Sequence, residues 1–168
     1  LVHRDVKPAN LLLCERGGRS DVVKVVDFGL VHGFTPKSAP DGGEVRAVGT
    51  PLHMSPESIL SPTSIGPRSD IYAVGTVAYF LLAGAHAFEA DTVEEIFEGH
   101  LSLEPTPLAR RTGGTIPAAL DALVLACLAK DPADRPARAK ALRDLLRECD
   151  GVGRWTQKEA RKWWTAYW

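Results

Sequence analysis

Apolar and polar positions change rhythm along this 168-residue chain. Near the start, "ANLLLC" and "DVVKVVDF" are short runs rich in leucine and valine, joined by "ERGGRS". Runs of this length and type read as strands, and Gly17-Gly18 suits the tight reversal of a hairpin. From Gly29 to about Ser58 the periodicity fades into glycine, proline, serine and threonine. Loops of that length in compact domains are usually functional or disordered. After it, helical spacing dominates.

The stretch near 69–84 predicts a helix that is apolar on nearly every side, as at the centre of a core. The run Ile71–Phe88 carries no full charge and approaches the length of a membrane span. Gly75, Thr76, Gly84 and His86 dilute it, and Asp70 and Glu89 flank it without a basic cluster, so a buried core helix is the reading adopted. "DTVEEIFEGH" predicts a helix with Asp91 as N-cap and acidic residues in its first turn. Leu120, Leu123, Val124, Cys127 and Leu128 fall at helical spacing behind Pro117, which suits a first turn. Ala141, Leu142, Leu145 and Leu146 repeat the pattern.

In the tail, "WTQKEARKWWTAYW", Thr156 and Glu159 have the spacing of a capping box, and Trp155 stands where a hydrophobic staple would reach Ala160. Ala160, Trp163, Trp164, Tyr167 and Trp168 then form one apolar stripe, with Lys158, Arg161 and Lys162 opposite. Packing of this helix on the domain is the first expectation; contact with a membrane surface is the second. The fold expected from these patterns is mainly α, a helical bundle around a central buried helix, with a short β-hairpin near the N-terminus.

Composition narrows the class. Hydrophobic residues are 45% and charged residues 24%, which fits a globular chain and excludes a disordered one. A net charge of -1 argues against a nucleic-acid partner. Cys14, Cys127 and Cys149 are widely separated, so neither a metal cluster nor a disulfide framework is expected. Reduced, mostly buried thiols and a cytoplasmic location follow. His32, His53, His86 and His100 lack acidic or cysteine partners at ligand spacing, and surface or satisfied-core roles are expected of them.

Chemistry concentrates at the start, in "LVHRDVKPAN". Asp5 could accept or orient the proton of an attacking hydroxyl, and Lys7 could neutralise charge moving between donor and acceptor. Asn10 and Asp27 offer hard oxygen ligands of the kind that suit Mg²⁺ leaning on phosphates. An acid, a cation and two metal ligands describe phosphoryl transfer.

"HRDVKPAN" resembles the catalytic loop of the protein kinases, and "DFG" at 27–29 resembles their metal-binding turn. The likeness continues through "GTPLHMSPES", with Ser55 where most members have alanine, through "SDIYAVGTVAYFLLAG", and through "KDPADRP". It implies ATP and Mg²⁺ (or Mn²⁺) as cofactors and protein serine or threonine hydroxyls as acceptors. It implies Asp5 as catalytic aspartate, Lys7 at the transferred phosphate, Asn10 and Asp27 as metal ligands, and Leu12 under the adenine. His3, Phe28, Gly29, Glu57, Asp70 and Arg135 are implied as scaffold, with His3 beneath the Phe28 ring, Asp70 tying down the catalytic-loop backbone and Arg135 pairing Glu57. Arg4, Thr35, Ser38 and Thr50 are implied in the activation segment, Arg4 gripping a phosphate and Thr50 bonding Asp5 and Lys7. The Lys7-Pro8 and Gly49-Thr50 pairs resemble serine/threonine members, and the loop wording, "DIYAVG" and the tail resemble bacterial ones.

No G-x-G-x-x-G run occurs in the sequence. The resemblance therefore implies a large lobe without its small lobe, with residues 1–149 as the partial catalytic domain and 150–168 as a helical tail. Such a chain is expected to be inactive alone, to belong with a small lobe in its parent protein, and to leave room for a membrane anchor beyond Trp168. Two other classes compete: a kinase-like interaction scaffold without catalysis, which the intact Asp5, Asn10 and Asp27 disfavour, and a small-molecule phosphotransferase, which Lys7, Thr50 and the Ser-Pro-Glu ending disfavour.

Overall fold

In a computed structural model, residues 1–28, 50–153 and 155–167 are described. The hairpin comprises β1 (Leu11–Arg16) and β2 (Arg19–Val25), paired antiparallel with Leu11 opposite Val25 and Cys14 opposite Val22. Both turn residues have positive φ, Gly17 at 59° and Gly18 at 73°, which only glycine adopts without strain. The strands run closer to the turn than the apolar runs suggest. Ala9 and Asn10 belong instead to a 3₁₀ turn, Pro8–Asn10, and residues 26–28 follow the end of β2. Pro8 has no N–H to give to the ladder, and its ring favours the turn.

Among the described residues the α-helices are α1 (Pro56–Leu60), α2 (Pro67–Ala83), α3 (Val93–Ser102), α4 (Leu108–Arg111), α5 (Ala118–Cys127), α6 (Ala139–Glu148) and α7 (Gln157–Tyr167). A 3₁₀ turn, Pro51–His53, precedes α1, so short helical structure begins inside the stretch whose sequence shows no period. α2 is the central helix. Pro67 opens it, and Gly84 at φ 68° ends it by donating its N–H to the Phe80 carbonyl at 2.9 Å. Its Tyr72 and Tyr79 are fully buried with Phe88, Leu108, Val124 and Leu128. α5 lies very close to α2 at Gly75, where a Cβ would meet Cys127 Cβ at 2.7 Å.

Polar groups fix the helix ends. Thr92, not Asp91, caps α3: its hydroxyl accepts from Glu95 N while the Glu95 carboxylate accepts from Thr92 N, each at 3.2 Å. Lys130 Nζ donates to the Gly99 and His100 carbonyls at 2.9 Å and lies 4.3 Å from the Phe88 ring centre. The α4 turn exists because the buried Asp121 carboxylate accepts from Leu108 N at 2.8 Å and Ala109 N at 3.1 Å. Pro117 sits one residue outside α5, as its N-cap.

Burial departs from expectation in three places. α6 forms, but Leu145 and Leu146 are exposed and none of its residues is fully buried, because it packs only lightly on α2 and α5. Cys127 is buried, whereas Cys14 and Cys149 are only half-buried; all three are free. α7 buries Ala160 and packs on β2, while Trp163 and Tyr167 remain exposed; Trp168 lies outside the described residues. Among the described residues no helix is long and apolar enough to cross a membrane.

Candidate active site

The segment Leu1–Asn10 is held from two sides. From α2, the Asp70 carboxylate accepts from His3 N at 2.7 Å and Arg4 N at 2.9 Å. Arg4 sits at φ 71°, a left-handed conformation that is strained for arginine, and the two bonds to Asp70 offset that cost. From the hairpin, His3 Nε2 meets the Val26 carbonyl at 3.0 Å. A carbonyl only accepts, so Nε2 carries the proton and Nδ1 accepts from Asp5 N at 3.3 Å. The His3 ring is 4.8 Å from the Phe28 ring.

This frame presents the polar cluster. Asn10 Nδ2 donates to the Asp5 carbonyl at 2.8 Å and to Asp5 Oδ2 at 2.9 Å. Both partners accept, so the amide orientation is fixed by chemistry, and the side-chain oxygen, Asn10 Oδ1, makes no hydrogen bond to a described residue. Lys7 Nζ lies 2.8 Å from the same Asp5 oxygen, with both side chains partly exposed. Val26 N donates to the Asn10 carbonyl at 3.0 Å, which brings Asp27 to the hairpin end that carries Asn10. Asp27 is exposed and, like Arg4, left-handed at φ 57°.

One amide oxygen and one carboxylate at one end of a hairpin fit Mg²⁺ better than a metal that needs a full protein cage. Among the described residues no group of three or more His, Cys, Asp or Glu side chains could hold an ion. Asn10 and Asp27 would hold Mg²⁺ only together with phosphate oxygens and water.

Other candidate residues separate from this cluster. Leu12 is 45% exposed on β1. Arg4 points an exposed side chain outward, and the segment it was expected to grip, with Gly29, Thr35 and Ser38, lies outside the described residues. The Thr50 hydroxyl, expected on Asp5 and Lys7, makes no hydrogen bond to either. Its carbonyl instead accepts from His53 N at 3.0 Å.

Glu57 and Arg135 form a separate buried network. Arg135 Nη1 and Nη2 reach the two Glu57 oxygens at 2.7 and 2.9 Å, and its remaining donors go to the Ala129, Lys130 and Arg68 carbonyls. The guanidinium also lies 4.8 Å from the Tyr72 ring centre. Burial alone would raise the Glu57 carboxyl, but the hydrogen bonds from Arg135, Ser69 and its own amide outweigh it and hold the group below its ordinary value. Ser69 was not legible beforehand. Its hydroxyl donates to Glu57 at 2.6 Å, and no sequence spacing announces a contact between two helices. Ser55 explains the departure from alanine: its hydroxyl accepts from Ser58 N at 3.3 Å and caps α1.

His53 and His100 are core histidines, each bonded through Nδ1. His53 Nδ1 pairs with Thr76 Oγ1, and His100 Nδ1 with the Tyr72 hydroxyl, each at 2.8 Å. Burial, then the neighbouring His86 and Lys7 charges, pushes His53 down to about 4 against a smaller pull from Asp5. Burial, then Lys130, does the same to His100.

The protein kinase domain model matches residues 1–146. The chain is 39% identical over 155 residues to the serine/threonine-protein kinase pkn3 of Myxococcus xanthus, covering 89% of this chain and 28% of that protein. It is 35% identical over 152 residues to the serine/threonine-protein kinase PknB of Mycolicibacterium smegmatis, covering 90% and 23%. The match to Pkn1 of Myxococcus xanthus is 37% over 146 residues, covering 87% and 21%. The chain thus spans about a quarter of the length of these relatives. A mainly helical lobe, a hairpin beside an Asp-Lys-Asn cluster and this degree of identity agree: the chain belongs to the bacterial serine/threonine protein kinase family.

Proposed function

We propose that this chain supplies the acceptor and metal side of a serine/threonine kinase site, in which Asp5, Lys7, Asn10 and Asp27 act on ATP·Mg²⁺ and a protein hydroxyl. The observation that carries this is the Asp5 cluster: one carboxylate oxygen is shared by Lys7 and Asn10, and the other has no hydrogen bond to a described residue. The second oxygen can orient a serine or threonine hydroxyl and take its proton as the hydroxyl oxygen bonds the γ-phosphorus of ATP and the bond from this phosphorus to the departing ADP oxygen breaks. Lys7, already beside Asp5, offsets negative charge passing between the two reactants. Asn10 and Asp27 present oxygens toward the metal side, and Mg²⁺, when bound there, would neutralise charge on the nucleotide's phosphates. Residues 1–149 form the catalytic part in this reading, and 150–168 an appended tail.

No sequence in the chain matches the phosphate-covering G-x-G-x-x-G loop, so transfer is assigned to the parent protein, and little is expected from these 168 residues alone. Labelled phosphate transfer from ATP by the parent protein, offered a basic protein, small alcohols or an aminoglycoside, tests the reading. Transfer to protein serine and threonine, abolished by Asp5→Asn, is the expected result. Transfer that survives Asp5→Asn, or that goes only to small hydroxyls, would overturn it.

A further inference from the structure

A two-stranded hairpin is marginal by itself in water. This one exposes Leu12, Leu13 and Val23, yet its open end must hold Asn10 and Asp27 in place. Among the described residues, α7 is the helix that packs most extensively on it. α7 lies beyond residues 1–146, the part matched by the kinase model.

The contact is built on a defect in the ladder. Cys14 faces Val22 but Arg16 faces Arg19, so Ser20 and Asp21 on β2 oppose Glu15 alone. That is a β-bulge, a feature that re-aims side chains and frees backbone groups. The freed groups are the ones α7 uses. The Gln157 amide oxygen accepts from Ser20 N and its nitrogen donates to the Ser20 carbonyl, each at 3.0 Å. The Asp21 carboxylate accepts two indole N–H groups, from Trp155 on one oxygen and from Trp164 on the other at 2.5 Å. Asp21 stands at φ 57°, a conformation that aspartate tolerates better than most residues. Ala160, facing the hairpin from one turn further along, is fully buried.

We propose that Asp21 and Gln157 are positioning residues: by docking α7 on the bulge of β2, they hold the hairpin whose open end presents Asn10 and Asp27. The proposal rests on the roles given to Asn10 and Asp27 above. The chain runs from the bulge along four residues of β2 to Val26, whose N–H and carbonyl bond Asn10 and His3. Loosening at the bulge therefore reaches both metal-side residues and the catalytic loop.

Amide hydrogen exchange on the 168-residue chain tests this without any ligand. Asp21→Asn keeps the left-handed backbone but loses one acceptor and the charge. Trp155→Phe with Trp164→Phe keeps the rings and removes both donors. In each, amides of Val22 to Val26 should exchange at least about tenfold faster while α2 and α5 are unchanged, and indole emission of the Asp21 variant should shift to the red. In the parent protein, Asp21→Asn should raise the Mg²⁺ concentration needed for half-saturation with nucleotide several-fold. Unchanged exchange at Val22 to Val26 once α7 is released would overturn the proposal. So would equal loss of protection in α2, which would make the contact one of general stability. Nucleotide binding that needs no Mg²⁺ in any variant would overturn the functional reading instead, since the exchange result does not depend on it.

Discussion

The helical half and the hairpin end of this molecule treat their polar groups in opposite ways. In the helical half the charged groups that join elements are engaged: Arg135 uses every donor, Asp121 caps α4 with both oxygens, and Lys130 ends α3. At the hairpin end Asp27 is exposed, one Asp5 oxygen is unbonded among the described residues, and Arg4 and Asp27 sit in left-handed backbone. A buried polar group without partners is costly, so the first arrangement stabilises a unique packing. Groups left free at a strained backbone are available to a ligand. Chemistry and stability should therefore separate on mutation.

The sharpest test is Asp5→Asn. Turnover of the parent kinase should fall about 10²–10⁴-fold, while melting of this chain stays within about 1 kcal/mol of the original. Asn10 Nδ2 still finds a carbonyl oxygen in the variant, which is why folding should not suffer. A comparable loss of stability would mean that the cluster is scaffold after all.

Arg135→Ala should do the reverse. It leaves the Glu57 carboxylate buried without its partner, at a cost of about 3–5 kcal/mol. Chemical denaturation would show this, and a cycle with Glu57→Gln should reveal strong coupling between the two. Additive effects would remove the pair from the stabilising network.

Next in size is a pH dependence confined to the helical half. His53 and His100 are held near 4 when folded, against an ordinary value of 6.5. A depressed histidine means that the unfolded chain binds protons the native one refuses. Their contribution is complete above about pH 6.5 and is lost as pH falls toward 4, on the order of 3 kcal/mol for each at most. Glu57 adds to the loss lower down, since its carboxyl is also depressed. Stability measured at pH 7, 5.5 and 4.5 should decline steadily, and replacing His100 by glutamine should flatten the curve. A level profile between pH 7 and 5 would show that these rings protonate without consequence.

Much of this was legible in the sequence. Leucine and valine runs around Gly17-Gly18 announced the hairpin, and α2 and α5 followed from continuous and periodic apolar positions. The Thr156–Glu159 spacing announced the start of α7, where Glu159 accepts from Thr156 N at 2.6 Å. Hidden features depended on tertiary contact. α4 needs Asp121, thirteen residues downstream of its first N–H, and the Ser69–Glu57 bond joins two helices. Burial of α6 was overread because amphipathic spacing reports which face would pack, not whether a neighbour is there. At the site, residue types were legible, but the arrangement of Asp5, Lys7 and Asn10 around one oxygen was not.

The smallest expected effect sharpens the comparison from inside the helical half. Gly75 lies mid-helix, where glycine costs about 1 kcal/mol relative to alanine, so propensity alone predicts that Gly75→Ala stabilises. Packing predicts otherwise. The new Cβ would lie 2.7 Å from Cys127 Cβ and 3.1 Å from Leu128 Cδ2. The leucine methyl can rotate away, but the cysteine Cβ is fixed to its backbone, so α2 and α5 must separate by several tenths of an ångström. Overpacking of this kind costs about 1–3 kcal/mol, which exceeds the helix gain and leaves a modest net loss. Cys127→Ala should not rescue it, because the obstructing atom is Cβ rather than sulfur. Cys127→Gly should relieve the clash, although it adds a helix glycine of its own. The informative quantity is therefore the coupling in a double-mutant cycle, which should favour the Gly75→Ala/Cys127→Gly pair by about 1 kcal/mol or more. Nucleotide and Mg²⁺ binding by the parent kinase should not change in any of these variants, because α5 packs chiefly on α2, α4 and α6 and not on the hairpin. A stabilised Gly75→Ala chain would show that the two helices yield easily, and that the helical half is less rigid than its hydrogen bonds imply.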